Sequence, residues 1–217
     1  MNEGSIKTIE SFGEFHDFIE AFGKRAVVFR GVRKASYLLV PKVGRYKKCH
    51  ERLMLRLFKQ QALPFLTYTP KNDWEWLAIA QHHGLPTRLM DWTLNPLAAA
   101  YFAVEKEYDG DSVVYAYTHD KFINTTRDSN PFAFDHVARF IPDHITPRII
   151  AQAGLFTIHP KPKNPFVSSM LSKLIIKQKF RRKLKFILYK YGIHRATMFP
   201  GLDGLASNIT WRKTDEY

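Results

Sequence analysis

Gly84, Pro86 and the Asn95-Pro96 pair divide the stretch from Trp74 to Phe102 into a helix, an extended segment and a second helix. WEWLAIAQHHG has a helical apolar pattern that Gly84 stops, and LAAAYFAVEK takes Pro96 in its first turn with Asn95 as its cap. Between them, TRLMDWT reads as a strand or an extended loop. Core packing accounts for the apolar ends of this stretch but not for its middle, where two His, an Arg, an Asp, a Trp and two Thr crowd together. We read Gln81 to Phe102 as one wall of a small-molecule pocket. The strand RAVVFRGV, through Phe29, Arg30 and Gly31, supplies the opposite wall. Gly31 has no Cβ, so the chain there turns sharply or lets a ligand approach its backbone.

Around this centre, Ile6 to Phe22 places Phe15, Phe18, Ile19 and Phe22 at helical spacing, which predicts one amphipathic helix with Ser11 as its N-cap. GRYKKCHERLMLRLFKQQALPFL predicts a basic amphipathic helix, whose Arg45, Lys47, Lys48, Arg52, Arg56 and Lys59 form either a solvated face or a phosphate-binding surface. DGD marks a turn and SVVYAYTH a strand. Residues 120–147, with two Asn and three Pro, read as a long excursion, and RIIAQAGLFTIHP as two short strands bent at Ala153 and Gly154, with Gln152 on a late strand. From about 168 to 195 the pattern predicts a basic helical segment in which Ile176, Phe180, Leu184, Ile187 and Tyr191 share a face. Lys177, Lys179, Arg181, Arg182, Lys183 and Lys185 load the remainder without an acidic residue among them, so this segment is expected to bind nucleic acid. FPGLDGLASNI closes the chain as a turn and short helix, and the whole of 1–217 reads as one domain.

Charge and cysteine usage narrow the chemistry. Lys and Arg number 33 against 20 Asp and Glu, a formal net charge of +13, which favours a polyanionic partner. The single Cys49 excludes an intramolecular disulfide framework and a cysteine-based zinc site. With no signal-peptide pattern and no long apolar span, a cytoplasmic protein without membrane contact is expected. There is no GxSxG elbow, no HExxH and no Gly-rich phosphate loop, and the adjacent His82 and His83 diverge on any regular element, so no metal site is expected. What remains is Arg30 and Gly31, then His83, Arg88, Asp91, Thr93, Tyr101 and Phe102, then Gln152. Asp91 pairing with Arg88 as a structural corner is the plain alternative for that part of the set.

FRG at Phe29 to Gly31, with AQHHGLPTRLMDWTLNPLAAAYFA from Ala80 to Ala103, resembles the FRG domain family, as do RIIAQAGLFTIH from Arg148 and FPGLDGLA from Phe199. An aromatic-Arg-Gly strand end, followed by a Ser or Thr strand that leads into a helix with Phe-Ala, is also similar to the ADP-ribosyltransferase fold of the Arg/Ser/Glu class. That resemblance implies an α+β fold with a split, strongly bent antiparallel sheet and peripheral helices, and NAD as substrate. It places Arg30, beside Phe29, on the NAD phosphate and ribose, the Gly31 backbone on the nicotinamide amide, and Thr93 in the Ser position. Tyr101 or Phe102 stacks on the nicotinamide, with His83 and Arg88 along the wall. The late-strand Glu of that class is missing; Gln152 stands in the comparable place, and Asp91 is the residue left to supply negative charge. The implied function is ADP-ribosyl transfer to RNA or DNA by a toxin of a bacterial toxin–antitoxin or anti-phage system, with an antitoxin protein as partner. The alternatives are a non-catalytic nucleic-acid or nucleotide-binding module, and a nuclease using His83 and Asp91.

Overall fold

The computed structural model describes residues 4–66, 68–118, 121–142 and 146–214. Their strands are β1 (Ile6–Ile9), β2 (Val28–Val32), β3 (Leu89–Thr93), β4 (Ser112–Tyr117), β5 (Ala138–Phe140), β6 (Gly154–Ile158) and β7 (Leu171–Ile176). The helices are α1 (Phe12–Glu20), α2 (Glu51–Ala62), α3 (Asp73–His82), α4 (Pro96–Val104), α5 (Pro147–Ala151), α6 (Gln178–Lys190), α7 (Arg195–Met198) and α8 (Leu202–Lys213). One sheet runs β1-β7-β4-β2-β3-β6-β5. It is mixed rather than purely antiparallel, because β1 lies parallel to β7 while the other neighbours are antiparallel. Among the described residues no helix is long and apolar enough to cross a membrane.

The sheet is continuous everywhere except at its middle. β2 pairs with β4 over five residues and β3 with β6 over five, but β2 and β3 share the single rung Phe29–Thr93. Continuing that register would set Gly31 opposite Asp91; the strands part instead. On one face, α1, α4 and α6 pack Phe15, Phe18, the Ala98–Ala100 run and Leu184 onto Phe29, Val114 and Leu174. On the other half of that face, α2 and α3 pack Leu55, Trp74 and Leu77 onto Leu89, Phe156 and Ile158. A cleft therefore lies between the two helix groups, floored by the strands where they part.

Several elements differ from the sequence reading. Ile6–Ile9 is an edge strand, not the start of a helix, and α1 begins where Ser11 forms a capping box with Glu14. Residues 148–151 are helical, because Thr146 caps the Ile149 amide and Pro147 occupies the first helical position. Gln152 is thus the C-cap of α5 rather than a strand residue, and Ala153, with φ of 44°, turns the chain into β6. The expected basic segment at 168–195 is two elements: Leu171, Leu174 and Ile176 are buried in strand β7, and only 178–190 is helix. The 120–147 excursion contains β5, with residues 120 and 143–145 outside the described part. The closing helix is twelve residues long.

Candidate functional site

The cleft has a volume of about 810 Å³, within the range of small-molecule sites. Phe29, Arg30 and Gly31 of β2, His83 after α3, Asp91 and Thr93 of β3, Phe102 of α4 and Gln152 all line it, so most of the residues singled out in sequence converge. Two do not. Arg88 gives its backbone N–H and its Nε to the carboxylate of Glu51, at 2.6 and 2.9 Å, and lies over the Phe132 ring in a neighbouring groove. Asp91 therefore does not pair with Arg88. Tyr101 is buried on the far side of α4 beside Glu105 and Arg195, and burial pushes its hydroxyl pKa well up. A helix sends adjacent residues about 100° apart, so Phe102 faces the cleft and Tyr101 cannot.

Gly31 is explained by packing. A Cβ built on it would stand 1.8 Å from the carbonyl oxygen of Ala99 in α4, so its bareness admits a helix backbone rather than a ligand. The Ala98–Ala100 run of α4 is the matching surface. Thr93 is equally committed: its hydroxyl donates to the Gln152 carbonyl at 2.6 Å and accepts from the Asn95 amide at 2.9 Å. It ties the start of α4 to the start of β6 and is 4% exposed. The Gln152 side chain donates to the Met198 carbonyl at 2.9 Å, fastening α5 to α7. Thr93 has thus committed its one hydroxyl proton to Gln152, and Gln152 has committed one N–H to Met198.

Arg30 and Asp91 form the lips of the opening. Arg30 Nη1 donates to the Asp91 carbonyl, which the parted strand leaves without a β2 partner, and stands 3.5 Å from the Asp91 carboxylate. Its Nε is buried without a partner among the described residues. Burial lowers the Arg30 pKa, and the charge of Asp91 opposes that shift. The carboxylate itself accepts from Gln81 Nε2 at 3.2 and 3.1 Å, and Thr87 donates its hydroxyl to Gln81 Oε1 at 2.7 Å while accepting from the Leu89 amide. A carboxylate only accepts, so the Gln81 amide has one permitted orientation and Asp91 is held in place.

Among the described residues Asp91 is the only carboxylate lining the cleft, against the cations Arg30, Lys42, Arg45, Lys106 and Arg148. That imbalance favours an anionic ligand. His82 also lines the wall, neutral at physiological pH because burial, with Arg148 and His83 nearby, lowers its pKa to about 4. Sequence reasoning missed Gln81, His82, Lys42, Arg45, Lys106 and Arg148 as lining residues. Gln81 and His82 open the very stretch it singled out, just before His83; Lys42 and Arg45 share one turn, Lys106 follows α4, and Arg148 opens the RIIAQAGLFTIH block.

The basic helix behaves differently from its expectation. Arg181 is 1% exposed and donates to Ser112 Oγ and to the carbonyls of Lys106 and Tyr108, at 2.5 to 2.7 Å. Lys185 donates to the Glu105 carbonyl at 2.9 Å and lies over the Trp211 ring. One turn apart on α6, they cap the C-terminal end of α4, where cations are favoured. Lys177 pairs with Asp111 and Lys179 with Glu10. Of the six expected nucleic-acid contacts, at least four are thus tied within the molecule; Arg182 and Lys183 lie on the exposed side of the helix.

Comparison with known families places this arrangement. The FRG domain model matches residues 25–112. Over that segment the chain is similar to the FRG domain. The match runs from just before β2 to the first residue of β4, so it holds both lips of the cleft, Arg30 and Asp91, along with Gln81, Thr87 and α4. Arg148 and Gln152 lie beyond it and complete the cleft from outside the matched segment. No curated protein and no solved structure matches the chain.

Proposed function

We propose that the FRG-domain cleft binds NAD and transfers its ADP-ribose to a nucleophile, with Asp91 as the group that opposes the developing positive charge. The carrying observation is the lone, oriented carboxylate on the lip of a cation-rich opening. In this reading the cations hold the two phosphates, with Arg30 closest to the reacting sugar. Phe29 and Phe102 offer ring surface for the nicotinamide. As the bond from C1′ to nicotinamide breaks, its electron pair leaves with the ring nitrogen, which becomes neutral. The sugar acquires oxocarbenium character, and the negative Asp91, held in place by Gln81, stabilises it at short range. A lone pair of the acceptor then bonds to C1′ and its proton is lost to solvent. The opening between β2 and β3 supports the likeness to the split sheet of ADP-ribosyltransferases, and Asp91 takes the part that Gln152, committed to Met198, does not.

Incubation with NAD labelled in the adenylate half, with RNA and DNA as acceptors, tests this. Labelled nucleic acid and free nicotinamide are expected, and Asp91→Asn is expected to lower the rate about 10²-fold, the typical loss for one preorganised electrostatic group. No label and no nicotinamide release from the wild-type protein would overturn the reading. A second reading, a nucleotide-binding module without turnover, is favoured by the commitment of Thr93 and Gln152 to backbone carbonyls; NAD binding without nicotinamide release would select it.

A further inference from the structure

We infer that single-stranded nucleic acid runs along a basic track beside the cleft, made by the Lys42–Arg45 turn, the residues after it, the start of α2 and the loop at 161–163. It enters the cleft over that turn. As an account of the acceptor it rests on the reading of the cleft above; as a binding surface it stands on charge and placement.

The track is nearly free of carboxylates. Between Val32 and Asn72 the only acidic residue is Glu51, and between His144 and Leu202 there is none. Glu51 is 8% exposed and closed off by Arg88, and burial raises its pKa, so it presents little negative charge to the surface. Arg45, Lys47, Lys48, Arg52, Lys161 and Lys163 are all exposed. Oxygens within the molecule hold Arg181 and Lys185 of α6, but among the described residues no carboxylate forms an ion pair with this set.

The pieces are also contiguous. Gly44 packs so tightly on the 161–163 loop that a Cβ on it would stand 1.7 Å from the Pro162 carbonyl oxygen. Lys163 and Arg52 line one groove of about 440 Å³, together with Val43 from the turn. Lys42 and Arg45, on either side of Val43, line the cleft. The turn is therefore the divide between groove and cleft, and it belongs to both. Arg56 continues the surface one helical turn beyond Arg52. Tyr46, 47% exposed in the middle of the run, offers a ring on which a base can stack. Cations that follow a backbone, interleaved with an exposed aromatic, are the features that hold single strands without strict sequence preference.

Fluorescence anisotropy with labelled RNA and DNA strands of about 12 nucleotides, and the corresponding duplexes, tests this between about 50 and about 200 mM salt. The variant K47Q/K48Q/R52Q/K163Q changes only exposed side chains; an unchanged melting curve confirms its fold. It is expected to bind single strands at least about tenfold more weakly at the lowest salt, with the log–log salt slope reduced by about 0.7 for each phosphate left without its cation. Tyr46→Ala is expected to weaken binding about fivefold or more without changing that slope. The α6 variant K183Q/K190Q is expected to bind as wild type. The inference is overturned if the fourfold variant binds as wild type, if the α6 variant is the one that binds poorly, or if duplex is preferred. NAD binding measured on the same samples separates the two readings: strand binding through the track by a protein that ignores NAD would sink the cleft reading and leave the track.

Discussion

The cations of α6 and those of the 42–52 track share a chemistry and differ in what surrounds them. On α6, Arg181 and Lys185 meet the last carbonyls of α4 and the turn after it, and Lys177 and Lys179 meet Asp111 and Glu10. Along the track, the one nearby carboxylate is turned inward and held by Arg88. Both stretches look equally basic when read as sequence. A basic run marks a polyanion surface only after the oxygens of the same molecule have been subtracted.

That contrast can be broken from the α6 side first. Arg181→Ala removes a buried cation and leaves Ser112 Oγ and two carbonyls without it. A destabilisation of about 3 kcal/mol is expected, since a hydrogen bond to a charged group is worth about 1.5–3. For a chain of this size that corresponds to a melting temperature lower by roughly 6–12 °C. A change below about 1 kcal/mol would mean that the carbonyls are satisfied without Arg181.

The cleft side is sharpened by pH. His159 is 3% exposed, accepts or donates at Thr157 Oγ1, and has its pKa lowered to about 3 by burial and then by the charge of Arg30. Between pH 6.5 and 3 the unfolded chain binds a proton at this residue that the folded chain refuses, so stability falls as pH falls. From pH 7 to pH 5.5 His159 is expected to contribute a loss of about 1.3 kcal/mol, with His82 adding in the same direction. Urea denaturation at the two pH values measures it, and His159→Gln should flatten the dependence. An equal slope in the variant would remove His159 from the account.

The smallest effect is the most direct contrast. Lys183→Gln, close to Arg181 in the chain but exposed, should change stability by less than about 0.5 kcal/mol in the same melting experiment. A destabilisation comparable to that of Arg181→Ala would show that the outer face of α6 is also structural.

How much of this was legible in sequence follows from which interactions are local. Helices α3 and α4, strands β2, β3 and β4, and the caps Ser11 and Asn95 were readable because short-range signals set them. Ile6–Ile9, Leu171–Ile176 and 148–151 were misread because a short apolar run has no period of its own, and pairing with distant strands or a Thr-Pro start decided the matter. At the site, Arg30 and Asp91 were recoverable as residues of two facing walls. Thr93 and Gln152 were chosen for a hydroxyl and an amide that could meet a ribose, yet in the fold both are occupied by backbone carbonyls, which no residue type announces. Arg148 and Arg45 were named in sequence but not as cleft residues, and Lys42 was not named, because only the packing of α5 and of the turn held by Gly44 brings them to the cleft.

A sheet stitched at its centre by the one rung Phe29–Thr93 leaves most of the hold between its halves to side chains. Behind that rung, on the opposite face, Val28, Tyr115 and Tyr117 pack with Met90, Trp92 and Leu155, so one apolar layer bridges the two halves. Arg30 and Asp91 act as the latch across the gap. A ligand that engages Arg30 or Asp91 competes for that contact, and the Lys42–Arg45 turn, tethered by Lys42 to the Gly84 carbonyl just past α3, stands beside it on the cleft wall.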